Sequence, residues 1–181
     1  MISLVIPKFR GNMTIEASAS DPAAEAVHPP AQDITELMVF RLARLVAINE
    51  RAGHRWSEQM FALRLNEWRV LGLARALEPV QFREIAVRLI MDKGQLSRIV
   101  KALVERGFLD TMVARDDARS LEIHTTEAGR QLHDRVLPFT KQRNEAAVEV
   151  LTREEYLEFM RVLDKLLEHN ESQLRQSEWD K

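Results

Sequence analysis

Between Gln81 and Thr126 the chain runs through one helical stripe, a tight turn, a second helical stripe and two short alternating runs around a polar loop. No other feature constrains the fold as much. Phe82, Ile85, Ala86 and Leu89 recur at helical spacing and predict a first helix, buried on one face and ending near Ile90. Met91-Asp92-Lys93-Gly94 supplies the turn. Asp92 suits the N-cap, because its carboxylate accepts from the free N–H groups of the next helix and faces its positive end. The second helix is expected from about Lys93 to Arg106. Its apolar stripe, Leu96, Ile99, Val100, Leu103 and Val104, leaves Gly94, Gln95, Ser97, Arg98 and Lys101 on the opposite side.

That outer set has the chemistry of a surface that reads DNA. It offers a glycine for close backbone approach, an amide suited to adenine, a short hydroxyl, an arginine suited to guanine or phosphate, and a lysine suited to phosphate. Gly107 stands where a left-handed residue ends a helix. Two strands follow: Leu109, Thr111 and Val113 alternate with Phe108, Asp110 and Met112, and Leu121, Ile123 and Thr125 alternate beyond the loop Ala114–Ser120. The loop carries Arg115 and Arg119. A basic helix face followed by such a ribbon can engage a major groove and the neighbouring minor groove together, a narrow minor groove being attractive to arginine.

The runs Asp92-Lys93-Gly94-Gln95-Leu96-Ser97-Arg98-Ile99-Val100, Glu105-Arg106-Gly107-Phe108-Leu109, Asp117-Ala118-Arg119-Ser120 and Thr126-Glu127-Ala128-Gly129 together resemble the MarR (multiple antibiotic resistance regulator) family, from about Ile34 to about Asn170. The sequence departs from the commoner pattern at Gly94-Gln95, where many members have Ser-Thr. The resemblance implies a mainly α fold with a small β-wing, a winged helix-turn-helix flanked by N- and C-terminal dimerisation helices. It also implies that Arg119 at the wing tip is oriented by Asp117. The function it implies is a homodimeric, sequence-specific transcription regulator, usually a repressor, on a pseudo-palindromic operator in double-stranded DNA. In that family small, often aromatic, anions enter a cleft between the long helices and the DNA-binding module.

The expected organisation is an N-terminal arm over 1–32, a dimerisation helix within 33–64, the winged module over 65–126, C-terminal helices completing the dimerisation region over 127–170, and a polar tail over 171–181. The arm is rich in Ala, Ser, Asp and Pro and has no sustained period, and Met13 is an alternative start. Asp33-Ile34-Thr35-Glu36 has capping-box spacing ahead of a long helix reaching toward Met60, with Gly53 a point of bending. Asn66 is expected to cap a buried helix containing Trp68, and Thr125-Thr126 a helix kinked at Pro138. Thr152 and Glu155 repeat the capping-box spacing before a last helix, whose stripe Tyr156, Phe159, Met160, Leu163, Leu166 and Leu167 needs a partner surface. The polar tail is expected to fray.

The formal net charge of −2 means that attraction to phosphate must come from local patterning. It also leaves open an alternative, a winged-helix protein-interaction module that does not bind DNA. Cysteine is absent, and the five histidines lie at no metal-ligand spacing, so no metal, cofactor or thiol switch is expected. No glycine-rich phosphate loop or nucleophile elbow is present, and an enzyme is not expected. Met38, Met60, Met91, Met112 and Met160 read as core fillers. No apolar run is long enough to cross a bilayer, so the expected compartment is the cytoplasm. By elimination a small organic effector is the expected switch. Arg44, Arg51, His54 and Trp56 are the candidates to hold it, since a carboxylate needs a cation or donor and an aromatic ring a flat wall. Each of these also occurs as an ordinary surface cation, turn residue or core aromatic.

Overall fold

The computed structural model describes residues 30–113 and 120–179. It contains a 3-10 turn at Ile34–Glu36 and six α-helices: α1 (Met38–Phe61), α2 (Leu65–Ala76), α3 (Phe82–Leu89), α4 (Lys93–Glu105), α5 (Glu127–Val148) and α6 (Arg153–Trp179). Three strands, β1 (Val80–Gln81), β2 (Leu109–Val113) and β3 (Leu121–Thr125), form an antiparallel sheet in the order β1-β3-β2. The chain divides into two compact units, 1–43 and 44–181. The expected arm falls almost wholly in 1–29, outside the described residues.

In the first unit, Asp33 and Glu36 close the 3-10 turn. The Thr35 N–H and hydroxyl each donate to Asp33 Oδ1 at 2.6 Å, and the Gln32 N–H donates to Glu36 Oε2 at 2.8 Å. The capping-box spacing therefore caps a single turn, and α1 starts afterwards at Met38.

The second unit is built around one core. Leu63, Val70, Leu71, Ile85, Leu96, Leu103, Leu109, Ile123 and Val136 are all buried, each contributing about 1.5–3 kcal/mol of transfer free energy. Trp68 is core, as its neighbours in sequence suggest, and its ring lies 5.6 Å from that of His133. Helix α2 begins one residue before Asn66: the Arg64 N–H donates to Glu67 Oε2 at 2.9 Å, while Asn66 Oδ1 accepts from Arg69 instead. Gly53 is buried in α1, where a Cβ would meet a Leu65 methyl at 3.6 Å.

The two wing strands are anchored at the end away from the loop. Leu109, Ile123 and Thr125 are buried, whereas Met112, Val113 and Leu121 are exposed toward the loop. Strand β1 adds a pairing that sequence patterning does not predict, Val80 opposite Ile123. Helix α5 is continuous through Pro138, and α6 continues to Trp179 through the stretch expected to fray. Thr152 and Glu155 form the expected box, with Glu155 N–H to Thr152 Oγ1 at 3.2 Å and Thr152 N–H to Glu155 Oε2 at 2.8 Å. The methionines correct an expectation. Met38, Met60, Met112 and Met160 are exposed, and only Met91 among the five packs against the core, because the helix and strand faces carrying the others lack cover among the described residues.

Candidate nucleic-acid interface

Helices α3 and α4 are joined by three residues, and the turn is made by two local devices. Ile90 adopts left-handed geometry (φ 51°), which lets the Met91 N–H reach the Ala86 carbonyl at 3.0 Å. Asp92 then caps α4, its Oδ1 accepting from the Gln95 N–H at 2.8 Å. A β-branched residue in that region costs about 1–2 kcal/mol, and nothing in the sequence marks Ile90 for it. Gly94 lies beside the cap, where a Cβ would come within 3.2 Å of Asp92 Oδ1.

With Leu96, Val100 and Leu103 buried, α4 turns Lys93, Gly94, Ser97, Arg98 and Lys101 to solvent, and Gln95 is half-buried. Arg98 has no ion pair or hydrogen bond with the described residues, so its guanidinium is available to a base edge or phosphate. Lys101 differs, lying 3.8 Å from Glu105 in a largely exposed pair of little energetic weight. Arg115, Asp117 and Arg119 lie outside the described residues.

A furrow of about 690 Å³ runs between α3, the start of α4 and β3, and it adds two cations that patterning missed. Arg83 and Lys93 line it together with Gln81, Phe82 and Ser97. Both are exposed and make no ion pair with the described residues. The missed signal is their position: each is a cation in the first turn of a helix, where the macrodipole favours acids. Such placement costs stability and concentrates positive potential along the furrow, beside the start of α4. This local patterning offsets the acidic balance of the whole chain.

A second cleft of about 520 Å³ opens between α1, α2 and α5. Its walls include the rings of Trp56 and Trp68, and its polar groups include the Glu50–Arg69 ion pair (2.7 Å) and Arg143. The Trp56 Nε1–H is buried without a hydrogen-bond partner among the described residues, an arrangement that ordinarily costs about 1–3 kcal/mol. The Arg143 guanidinium lies 5.9 Å from the Trp56 ring centroid and makes no ion pair with the described residues. Of the four residues expected to hold an effector, Trp56 lines this cleft, while Arg44, Arg51 and His54 are exposed and do not line it. Arg143 was legible only as one member of a polar and small stripe on α5, with Thr140, Asn144 and Ala147. Among the described residues no three His, Asp or Glu side chains are placed to hold a metal, and no helix is long and apolar enough to cross a membrane.

Residues 63–120 match the family model of MarR regulators. Over 157 residues the chain is 25% identical to the HTH-type transcriptional repressor IacR of Pseudomonas putida, covering 84% of this chain and 93% of that one. Its fold is similar to that of a MarR/EmrR family transcriptional regulator from an Acinetobacter species, with a TM-score of 0.72 at 22% identity over 77% of this chain and 99% of the other. It is also similar to CouR from Rhodococcus jostii, solved with p-coumaroyl-CoA, with a TM-score of 0.66 at 23% identity over 75% and 95% of the two chains.

Proposed function

The chain is a MarR-family transcription regulator rather than an enzyme, and on that premise we propose that it binds a pseudo-palindromic operator as a homodimer and represses until a small organic ligand releases it. The observation that carries this reading is the set of cations Arg83, in the first turn of α3, and Lys93 and Arg98, on the outer face of α4, none of which is paired with the described residues. Arg98 reads a base edge in the major groove, while Arg83 and Lys93 hold phosphates on either side of the helix N-terminus. The arginines of the loop between β2 and β3, Arg115 and Arg119, are assigned in this reading to the adjacent minor groove, with Asp117 as the partner that the family resemblance implies for Arg119. Two recognition helices require a two-fold axis. Helix α6 suits that role, since it has no buried residue among those described and its stripe from Tyr156 to Leu167 lacks cover. A regulator of this kind acts in the cytoplasm.

The cleft between α1, α2 and α5 is the effector site of this reading. An aromatic ring would stack against the Trp56 and Trp68 rings, and a carboxylate or similar anion would pair with Arg143. The ligand releases DNA only through its greater affinity for the form that does not fit the operator.

Titration with random duplex at low and moderate salt tests the DNA reading. Affinity should fall steeply with salt, with a slope set by the number of phosphates neutralised. Binding to protein but not to DNA at low salt would favour the interaction-module alternative. For the cleft, aromatic carboxylates and their coenzyme A thioesters are screened for a rise in melting temperature and release of DNA. A hit whose effect survives both Trp56→Phe and Arg143→Ala would place the effector elsewhere.

A further inference from the structure

The turn that ends α4 is tied to three other helices at once. Gly107 is left-handed (φ 73°), with its N–H donating to the Val104 carbonyl at 2.8 Å and the Phe108 N–H to the Leu103 carbonyl at 2.9 Å. From this turn the Arg106 guanidinium spans the α1–α2 junction. Nη2 donates to the Ala62 carbonyl at 2.8 Å and Nη1 to Glu67 Oε2 at 3.1 Å, the same oxygen that accepts from the Arg64 N–H. The guanidinium also lies 5.0 Å from the Phe108 ring centroid. On the other side, Thr126 Oγ1 donates to the Gly107 carbonyl at 2.6 Å, and the same oxygen caps α5 by accepting from the Gly129 N–H at 3.0 Å.

We infer that Arg106 is a positioning residue for DNA recognition: its hold on Ala62 and Glu67 sets the angle of the reading helix, although Arg106 itself does not touch DNA. Its side chain is occupied at the end of α4 opposite Lys93, about 20 Å along the helix at 1.5 Å per residue. Glu67 is almost fully buried, so losing its cation leaves a carboxylate there with only the Arg64 N–H to offset its desolvation. The helices it joins, α1, α2 and α5, are those that wall the cleft, so the turn is also the mechanical link between cleft and reading face. This inference rests on the DNA-binding reading.

The test uses a duplex recovered from a random-sequence pool by the unmodified chain, with Arg106→Gln, Arg106→Lys, Glu67→Gln and the double variant Arg106→Gln/Glu67→Gln. The Arg106→Gln and Glu67→Gln variants should each bind the selected duplex about 10-fold more weakly, with the salt slope and affinity for random duplex unchanged. The double variant should be no worse than either single one, as expected for residues acting together, and Arg106→Lys should recover part of the loss. Without DNA, amide exchange should quicken together over 102–108 and 62–65 in Arg106→Gln. A salt slope lower by about one would mean that Arg106 contacts phosphate directly, and would overturn the inference. Unchanged affinity for the selected duplex in Glu67→Gln, the milder variant, would reduce the pair to a stabilising contact. Unchanged exchange at 102–108 would sink the hold by itself, whereas an unmodified chain that enriches no duplex would sink the DNA-binding reading and this inference with it.

Discussion

Gly129 and Phe108 approach so closely that a Cβ on the glycine would overlap the Phe108 carbonyl oxygen, which already accepts from the Thr126 N–H at 3.2 Å. A glycine in the first turn of a helix is ordinarily a weakness, since alanine is better there by about 1 kcal/mol. Here the absent side chain lets the start of α5 rest directly on the turn that ends α4. Gly129→Ala should therefore destabilise the fold by about 1–3 kcal/mol in urea unfolding, through overpacking against backbone that cannot yield. Gly72→Ala is the control, because its Cβ would meet only the Trp68 ring at 3.9 Å, an ordinary contact. Equal effects at the two positions would mean that the approach of α5 to the turn is unimportant.

Acid stability should depend on Glu78, which joins the end of α2 to the last strand. Burial pushes its carboxyl up. Hydrogen bonds from the Thr125 hydroxyl (2.6 Å) and N–H (3.0 Å), with Arg130 and Arg75 nearby, outweigh this and hold it below the ordinary value of 4.5. A carboxyl lowered on folding stabilises the native state above its unfolded value, and that contribution is lost as pH falls through the lowered folded value. Glu78→Gln should cost about 1.5–3 kcal/mol at neutral pH, as for hydrogen bonds to a charged group, and should flatten the decline below pH about 4.5. Parallel acid denaturation curves for the two proteins would contradict this.

The cations of the DNA face should separate by role. Arg98→Ala should cost about 1–3 kcal/mol and relax preference at one base position per half-site, whereas Arg83→Ala and Lys93→Ala should weaken binding evenly and each lower the salt slope by about one. Lys101→Ala should have less effect, since that lysine already lies beside Glu105. An Arg98→Ala loss that is equal on selected and random duplexes would remove its base-reading role.

Charged replacements at Leu163 and Leu167 should yield monomers in sedimentation and weaken DNA binding with them. Both lie on the α6 stripe; Leu167 is half exposed, and no α6 residue among those described is buried. A double variant that stays dimeric would move the interface off this helix.

What the sequence determined by itself is local. Helical periodicity in α3, α4 and α6, the Asp92 cap, the Thr152–Glu155 box and the Gly107 stop depend on residues three or four apart, so their signals survive without the rest of the fold. The outward set of α4 follows from the same periodicity, because burying one stripe exposes the other. The tertiary structure decided whatever needs two distant segments to meet. Val80 becomes a strand only because Ile123 is beside it, and the Asp33–Glu36 spacing closes a 3-10 turn because α1 starts later than the pattern suggests. Arg143, rather than Arg44 or Arg51, joins Trp56 in the cleft because α5 packs there. Glu67 and Arg106, ordinary surface residues by composition, become an ion pair with the carboxylate buried because the turn after α4 lands on the α1–α2 junction. Periodicity specifies which face of a helix is apolar. Only packing specifies what covers that face, and therefore which charges are left to act.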